Sequence, residues 1–410
     1  ILINSLVFLS LYITESTSHK GLILISLLII NIEFLNKTMR YFLVSQYKIA
    51  IYSLTRIAGL FLQSFSKVVL TVLFSSLIYV YVSNIIGLTF ICLTYAFYLR
   101  KEPLSYPNKT LLISFFSFSI PLYFVKTINA FYERGIPLVI FMFYGEILAG
   151  LYYVSLSITQ PLYLFSSSIG AVMLVSISKK LHESDFSRLG TFINNYERII
   201  NTVILPLILI FILLKSEIIN CLFGGNYSDA QYLIPFLALS FYFSSITVPY
   251  SNVLLLSSRF KLILLSQLFC LGFSALSFIL LANQHIAING ISSNLEIIGF
   301  SILIYYLSRS LITRLFVFKF YSLMISKTNF YKLIIFCLSL YILGKFYLSL
   351  NDYDIGTIWF IAVNVFLAFI VYFGLLTVFG QFEREDVDLI LSAINPTKFK
   401  KEVIEEIRFD

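Results

Sequence analysis

The chain has 410 residues, of which 59% are hydrophobic and 12% charged, with a formal net charge of +8 and a mean hydropathy of +0.90. Soluble domains hold about half apolar and about a quarter charged residues, so this composition excludes a soluble enzyme and requires lipid as the solvent. The basic excess does not point to nucleic acid, because Lys and Arg in a membrane protein first set orientation and touch anionic lipid.

Runs such as Gly21–Ile32, Leu111–Val125 and Ile199–Leu214 are long and nearly free of charge, and about 20 apolar residues cross a hydrocarbon core of roughly 30 Å. Only helices or closed barrels satisfy every backbone polar group there. Barrel strands would alternate over about ten residues, and these runs do not, so the expected fold is an all-α, polytopic transmembrane bundle. Breaking the chain at charge clusters and Pro, Gly or Asn turns predicts helices at 1–13, 21–43, 54–81, 83–99, 111–132, 147–178, 198–220, 231–256, 260–283, 288–312, 330–350 and 356–380. The chain opens at Ile1 inside an apolar run with no Met and no basic stretch, which suggests that helices before it are missing.

Basic residues concentrate at alternate connections. One set holds Lys37, Arg40, Lys48 and Arg56, then Arg100, Lys101 and Lys109, then Lys179, Lys180, Arg188 and Arg198, then Arg259 and Lys261, then Arg309, Arg314, Lys319, Lys327 and Lys332. The opposite set holds only Lys20, Arg134, Lys215 and Lys345. Cytoplasmic loops carry the excess, so the first set and the tail 382–410 are expected inside, and Asp352-Tyr353-Asp354 outside. Cys92, Cys221, Cys270 and Cys337 are scattered singly, and His19, His182 and His285 lie far apart, so no metal site is implied. An internal repeat matches Leu43, Ser45, Lys48, Ser53, Gly59, Ser64 and Phe65 with Leu256, Ser258, Lys261, Ser266, Gly272, Ser277 and Phe278. Many transporters carry such weak repeats. If this one is real, a second lobe starts near residue 111.

From Gly21 to Leu315 the sequence resembles the polysaccharide and O-antigen flippases of the multidrug/oligosaccharidyl-lipid/polysaccharide exporter superfamily. The motifs are Ser119-Ile120-Pro121 in a helix that ends in Glu133-Arg134, Gly150-Leu151-Tyr152, Leu222-Phe223-Gly224 followed by Tyr227 and Ala230, and the Arg259-Phe260-Lys261 turn. Glu133 stands where the family more often has Asp. The resemblance implies two pseudo-symmetric six-helix lobes plus a helix pair, so about 12 of a usual 14 helices are expected here. The domains would be the remainder of an N-terminal lobe at 1–100, a C-terminal lobe at 111–320, two extra helices at 330–380, and the tail. It also implies a bacterial inner (cytoplasmic) membrane protein with no catalytic residues and no cofactor. Its ligand would be an undecaprenyl-pyrophosphate-linked oligosaccharide for lipopolysaccharide or another surface polysaccharide. Membrane lipids, a polysaccharide polymerase and a chain-length regulator would be its partners.

Candidate residues follow from polar side chains at helical spacing in apolar segments. Lys126, Asn129 and Glu133 share a face, and an intramembrane Lys is costly enough to need a cavity or a partner. It would contact a pyrophosphate or acidic sugar, with Arg134 nearby, or else serve as an interfacial Lys paired with Glu133. Arg56, Gln63 and Lys67 form a second stripe with Thr71, which puts Lys67 about 18 Å into its helix. Glu33, with Lys37 and Arg40 on its face, is the only carboxylate deep in an expected span; it would couple an ion or hold Lys37. Pro121, Pro161, Pro206, Pro235 and Pro249 are expected to bend helices. Gly224-Gly225-Asn226 reads as a helix cap rather than a phosphate loop, since no Lys-Ser/Thr follows.

The expected mechanism is alternating access about a net-cationic cavity enclosed by the lobes. A multidrug or lipid II exporter of the same superfamily is an alternative. So, from another class, is a membrane polysaccharide polymerase or glycosyltransferase, to which Asp352-Tyr353-Asp354 alone would point.

Overall fold

The computed structural model describes residues 20–45, 49–75, 77–100, 108–183, 186–285, 291–321, 327–350 and 357–381. The expected first segment 1–13, the Asp352–Asp354 connection and the tail 382–410 lie outside them. No strand occurs among the described residues. In chain order the helices are α1 Lys20–Ser45, α2 Ile49–Phe74, α3 Leu77–Leu99, α4 Lys109–His182, α5 Phe186–Leu213, α6 Lys215–Leu222, a 3-10 helix at Gly225–Tyr232, α7 Ile234–Leu256, α8 Phe260–His285, α9 Ile291–Tyr321, α10 Lys327–Leu350 and α11 Thr357–Val378. Eight are long and apolar enough to cross a membrane, so the chain is an all-α, multi-pass membrane protein. Phe61, Val72, Phe131, Met142 and Phe143 stand exposed, as lipid-facing side chains do.

Several boundaries differ from the sequence expectation. The expected helices 54–81 and 83–99 become α2 and α3, which meet at Ser75 in a left-handed conformation, φ 47°. No Gly or Pro marks that turn. Ser83, expected to open a helix, instead donates to the carbonyl of Val80 at 2.7 Å and stays buried inside α3. The expected helices 111–132 and 147–178 are two arms of α4 joined only at Gly145, whose φ of 83° and ψ of −175° suit a residue without Cβ. Glu133-Arg134 therefore sits within the first arm and does not end it. α5 starts well before the expected 198, and α9 runs nine residues past the expected 312, to Tyr321. Arg314 is consequently a helix residue and not a loop residue, and Arg309 lies well before the end of α9. Pro235 falls in the first turn of α7, where a missing N–H costs nothing, so it bends no helix. Pro121, Pro137 and Pro161 lie inside α4. Gly224, with φ 82°, closes α6 by donating to the carbonyls of Ile219 and Asn220 at 3.2 Å, as its sequence suggests.

The helices fall into two compact units, α1–α3 within Ile1–Pro107 and α4–α11 within Asn108–Ile390. In the first, α2 and α3 cross at glycines. A Cβ on Gly87 would lie 2.6 Å from the Cβ of Gln63, and one on Gly59 only 2.2 Å from a side-chain carbon of Ile91. Lipid gives helices no hydrophobic drive to associate, so close approach of small residues and interhelical hydrogen bonds take over.

In the second unit α5 buries Leu189, Ile193, Ile200, Ile204 and Ile208. This is the 3.6-residue period of a helix with one face inward. The same face carries a polar core. Glu197, 1% exposed, pairs with Arg314 of α9 and accepts a hydrogen bond from Tyr250 of α7 at 2.8 Å. Lys332 of α10, fully buried, donates to Thr202 at 2.8 Å, and Tyr372 of α11 donates to the carbonyl of Asn201 at 2.8 Å. α10 and α11 thus pack on α5 within this unit. Glu33 is therefore not the only carboxylate on a long apolar helix: Glu133, Glu146, Glu197 and Glu296 lie within the eight helices long and apolar enough to cross a membrane, and α1, which carries Glu33, is not one of those eight. Arg314 and Lys332, both counted with a cytoplasmic connection, are tied into this core.

Candidate functional site

Each unit carries a polar cavity walled by apolar helices. In the first, a cavity of about 340 Å³ is lined by Glu33, Asn36, Lys37 and Arg40 of α1, Arg56 and Gln63 of α2, and Asn84 of α3, among others. The helical period of α1 places Glu33, Lys37 and Arg40 on one side. Glu33 and Lys37 form an ion pair at 2.7 Å, both about half-exposed. Gln63 donates to Asn84 at 2.6 Å and Asn36 to the carbonyl of Leu88 at 2.8 Å, which tie α2 and α1 to α3. Arg56 donates to the Tyr52 hydroxyl at 2.6 Å, and Arg40 lies 5.0 Å from the centre of the same ring. Lys67 is exposed and outside this lining. Because α2 starts at Ile49 and ends at Phe74, Lys67 lies about two turns from its C-terminal end rather than near its middle.

The second cavity, about 200 Å³, is lined by Glu133 and Ile136 from the first arm of α4, Tyr152, Leu156, Gln160 and Tyr163 from the second, Leu237, Ser240 and Phe241 of α7, and Ile302 and Tyr306 of α9. A hydrogen-bonded chain leads out of it. Arg309 donates to Asn129 Oδ1 at 2.6 Å, and Asn129 Nδ2 donates to Glu133 Oε1 at 3.2 Å. Lys126, one turn before Asn129, is within charge range of both Arg309 and Glu133. Arg134 is exposed and outside the lining.

Ring and hydroxyl contacts fix the depth of this cluster. Phe118 packs on Phe260, the first residue of α8, at 5.1 Å between ring centres. Tyr132 meets Ser274, about four turns further along α8, at 3.3 Å, and stacks on Tyr305 at 3.6 Å. Asn129 and Glu133 therefore lie well along α4 from the Phe118–Phe260 contact, Asn129 half-buried and Glu133 exposed, and Arg309 is half-buried roughly three turns from the end of α9.

The cavity itself holds one carboxylate, Gln160 and several phenols, and the cations Lys126 and Arg309 stand beside it, a set that suits an anionic, hydrogen-bonding head group. The match to a known family bears on which one. The model of the family described as polysaccharide biosynthesis protein matches residues 16–232, more than half of the chain.

The chain belongs to the polysaccharide biosynthesis protein family.

No curated protein and no solved structure matches it. The match to this polysaccharide biosynthesis family takes in α1–α3, α4 and both carboxylates Glu33 and Glu133, and agrees with the resemblance read from the motifs. Arg309 lies beyond the matched residues. Sequence reasoning put it near the end of the expected helix 288–312 and counted it with the following cytoplasmic connection. The signal that would have found it is the apolar stretch that resumes at Leu311 and continues through Phe318 in helical register.

Proposed function

We propose that this protein moves an undecaprenyl-pyrophosphate-linked oligosaccharide, the repeat unit of an O-antigen or another surface polysaccharide, from the inner to the outer leaflet of a bacterial cytoplasmic membrane. The observation that carries this reading is the hydrogen-bonded cluster of Arg309, Asn129 and Glu133, with Lys126 within charge range, on long apolar helices of a polysaccharide biosynthesis protein. Charge on such helices is costly, and an anionic ligand offsets the cost. Arg offers a planar fork to a pyrophosphate and Lys a point charge. Uncharged sugars need only looser hydrogen bonding, which Gln160, Tyr163, Ser240 and Tyr306 offer. The protein acts as a transporter: binding and release alternate between the two leaflets, and no covalent bond is made or broken. The charged cavity of α1–α3 serves the same anion, with Glu33 as the ion-coupling carboxylate. A polymerase and a chain-length regulator would act on the delivered repeat unit.

The test is complementation of a strain lacking the gene. A Lys126→Ala, Arg309→Ala double variant should lose surface polysaccharide while its membrane level stays near normal. Normal polysaccharide from that variant would overturn the reading.

A further inference from the structure

The cavity that Glu133 borders is walled by polar groups that the chain does not pair with one another. Glu133 lies within charge range of three phenols of the lining, Tyr152, Tyr163 and Tyr306, yet its one hydrogen bond among the described residues comes from Asn129. Tyr152 is 4% exposed and Tyr306 8%, and neither hydroxyl has a hydrogen-bond partner among the described residues. Tyr196, Tyr242, Tyr250 and Tyr372, buried in the same unit but outside this lining, all have one. A buried hydroxyl without a partner is costly, so two of them on the wall of one cavity call for a hydrogen-bonding guest. The Tyr306 ring is held edge-on by Tyr132 and Tyr305, at 6.2 and 5.2 Å between ring centres, which fixes the direction of its hydroxyl. Tyr163 and Phe241 add a pair of rings 5.8 Å apart to the lining, and Gln160 adds an amide. At about 200 Å³ the cavity is smaller than the roughly 300–1,000 Å³ of drug-sized sites, so it has room for one small ring and not for a chain of them.

We propose that this cavity is a subsite for a single sugar ring, in which Glu133 and the hydroxyls of Tyr152 and Tyr306 read the hydroxyl groups of the sugar. Under the transport reading above, on which this assignment rests, the ring is the one bonded to the pyrophosphate: Asn129 joins Glu133 to Arg309, so the cavity and a cation stand one side chain apart. A carboxylate accepts several O–H donors at once, in bonds about twice as strong as neutral ones, and a sugar supplies such donors on adjacent carbons. A phenol donates and accepts, which matches a group that does both. The rings of Tyr163 and Phe241 offer apolar faces to the C–H side of the sugar. Glu133 is the only charged residue of the lining, which disfavours the pyrophosphate itself inside the cavity. A hydrocarbon guest would leave the carboxylate and both phenols unpaired.

The experiment measures binding of farnesyl pyrophosphate, and of farnesyl-pyrophosphoryl glucose, galactose and N-acetylglucosamine, to the full chain in nanodiscs of phosphatidylethanolamine and phosphatidylglycerol. The readout is the ratio of sugar-bearing to sugar-free affinity, in which tail partitioning and head-group contacts cancel. At least one sugar should raise the affinity of the native chain about tenfold or more, as one or two hydrogen bonds to buried or charged partners do. A probe with a cyclohexyl group in place of the sugar should gain little. Tyr152→Phe and Tyr306→Phe keep the rings and should each lower the ratio severalfold, with the double variant close to one. Glu133→Gln keeps the shape without the charge and should lower it as well. Arg309→Ala should weaken the sugar-bearing and sugar-free probes alike. A ratio near one for every sugar on the native chain, a cyclohexyl probe that binds as tightly as the best sugar, or a native ratio in the Tyr152→Phe, Tyr306→Phe double variant each overturns the sugar subsite and leaves the pyrophosphate reading standing. The first two need no variant and so do not depend on how a variant folds. Sugar-free affinity that is indifferent to Arg309→Ala overturns the pyrophosphate reading instead, while the ratio still reports on the cavity.

Discussion

Arg309 of α9 donates to the side-chain oxygen of Asn129 of α4 at 2.6 Å, joining residues that lie 180 positions apart in the chain. Asn129 passes its own N–H to Glu133, so the amide separates a guanidinium from a carboxylate in the apolar interior. Asn129→Asp would convert this neutral spacer into a direct ion pair. We predict export lowered about tenfold, because a neutralised Arg309 no longer attracts an anion, with a Tm that falls only modestly, since the new ion pair offsets the repulsion between the new carboxylate and Glu133. A purely structural Arg309 would leave export intact, and measuring Tm in detergent beside surface polysaccharide separates the two.

Arg56 and Gln63 line the cavity of α1–α3, and Lys67 does not. Lys67→Ala is therefore expected to keep most export, while Arg56→Ala should lower it severalfold at equal protein level. Equal and severe losses in both would show that Lys67 reaches substrate after all. Complementation with matched immunoblots decides.

Glu197 is buried against Arg314 and Tyr250. Removing one partner of a buried pair costs about 3–5 kcal/mol, whereas replacing both by apolar groups of similar volume is far milder. Glu197→Met should lower the Tm of the detergent-solubilised protein sharply, and the Glu197→Met, Arg314→Met double variant should regain a large part of the loss. Additive losses would show that Glu197 acts through groups other than Arg314.

Orientation is open to a direct labelling test. Cys221 in α6 is exposed, and the basic connections place its end of the bundle outside. A membrane-impermeant maleimide should label native Cys221 in intact cells. It should label Ser187→Cys, in a background without native cysteines, only after permeabilisation. The reverse pattern would invert the topology.

The apolar content and the spacing of basic residues were enough to establish a polytopic helical bundle, because lipid tolerates almost no other backbone and the helix period follows from chain geometry. The motifs at Ser119–Pro121, Glu133-Arg134 and Leu222–Gly224 pointed to the polysaccharide family for the same reason: they are local. Lys126, Asn129 and Glu133 were legible as one face of a helix. What only the tertiary structure decided is which charges are partners. Arg309, Arg314 and Lys332 look like cations at a cytoplasmic helix end in one dimension, and Glu197 looks like a helix start, since a polar run is the usual sign of a helix end in water. Packing of α5 against α7, α9 and α10 supplies those groups with counter-charges and hydrogen bonds from distant segments. Helices can then run on through charge that a lone segment in lipid would have to expel.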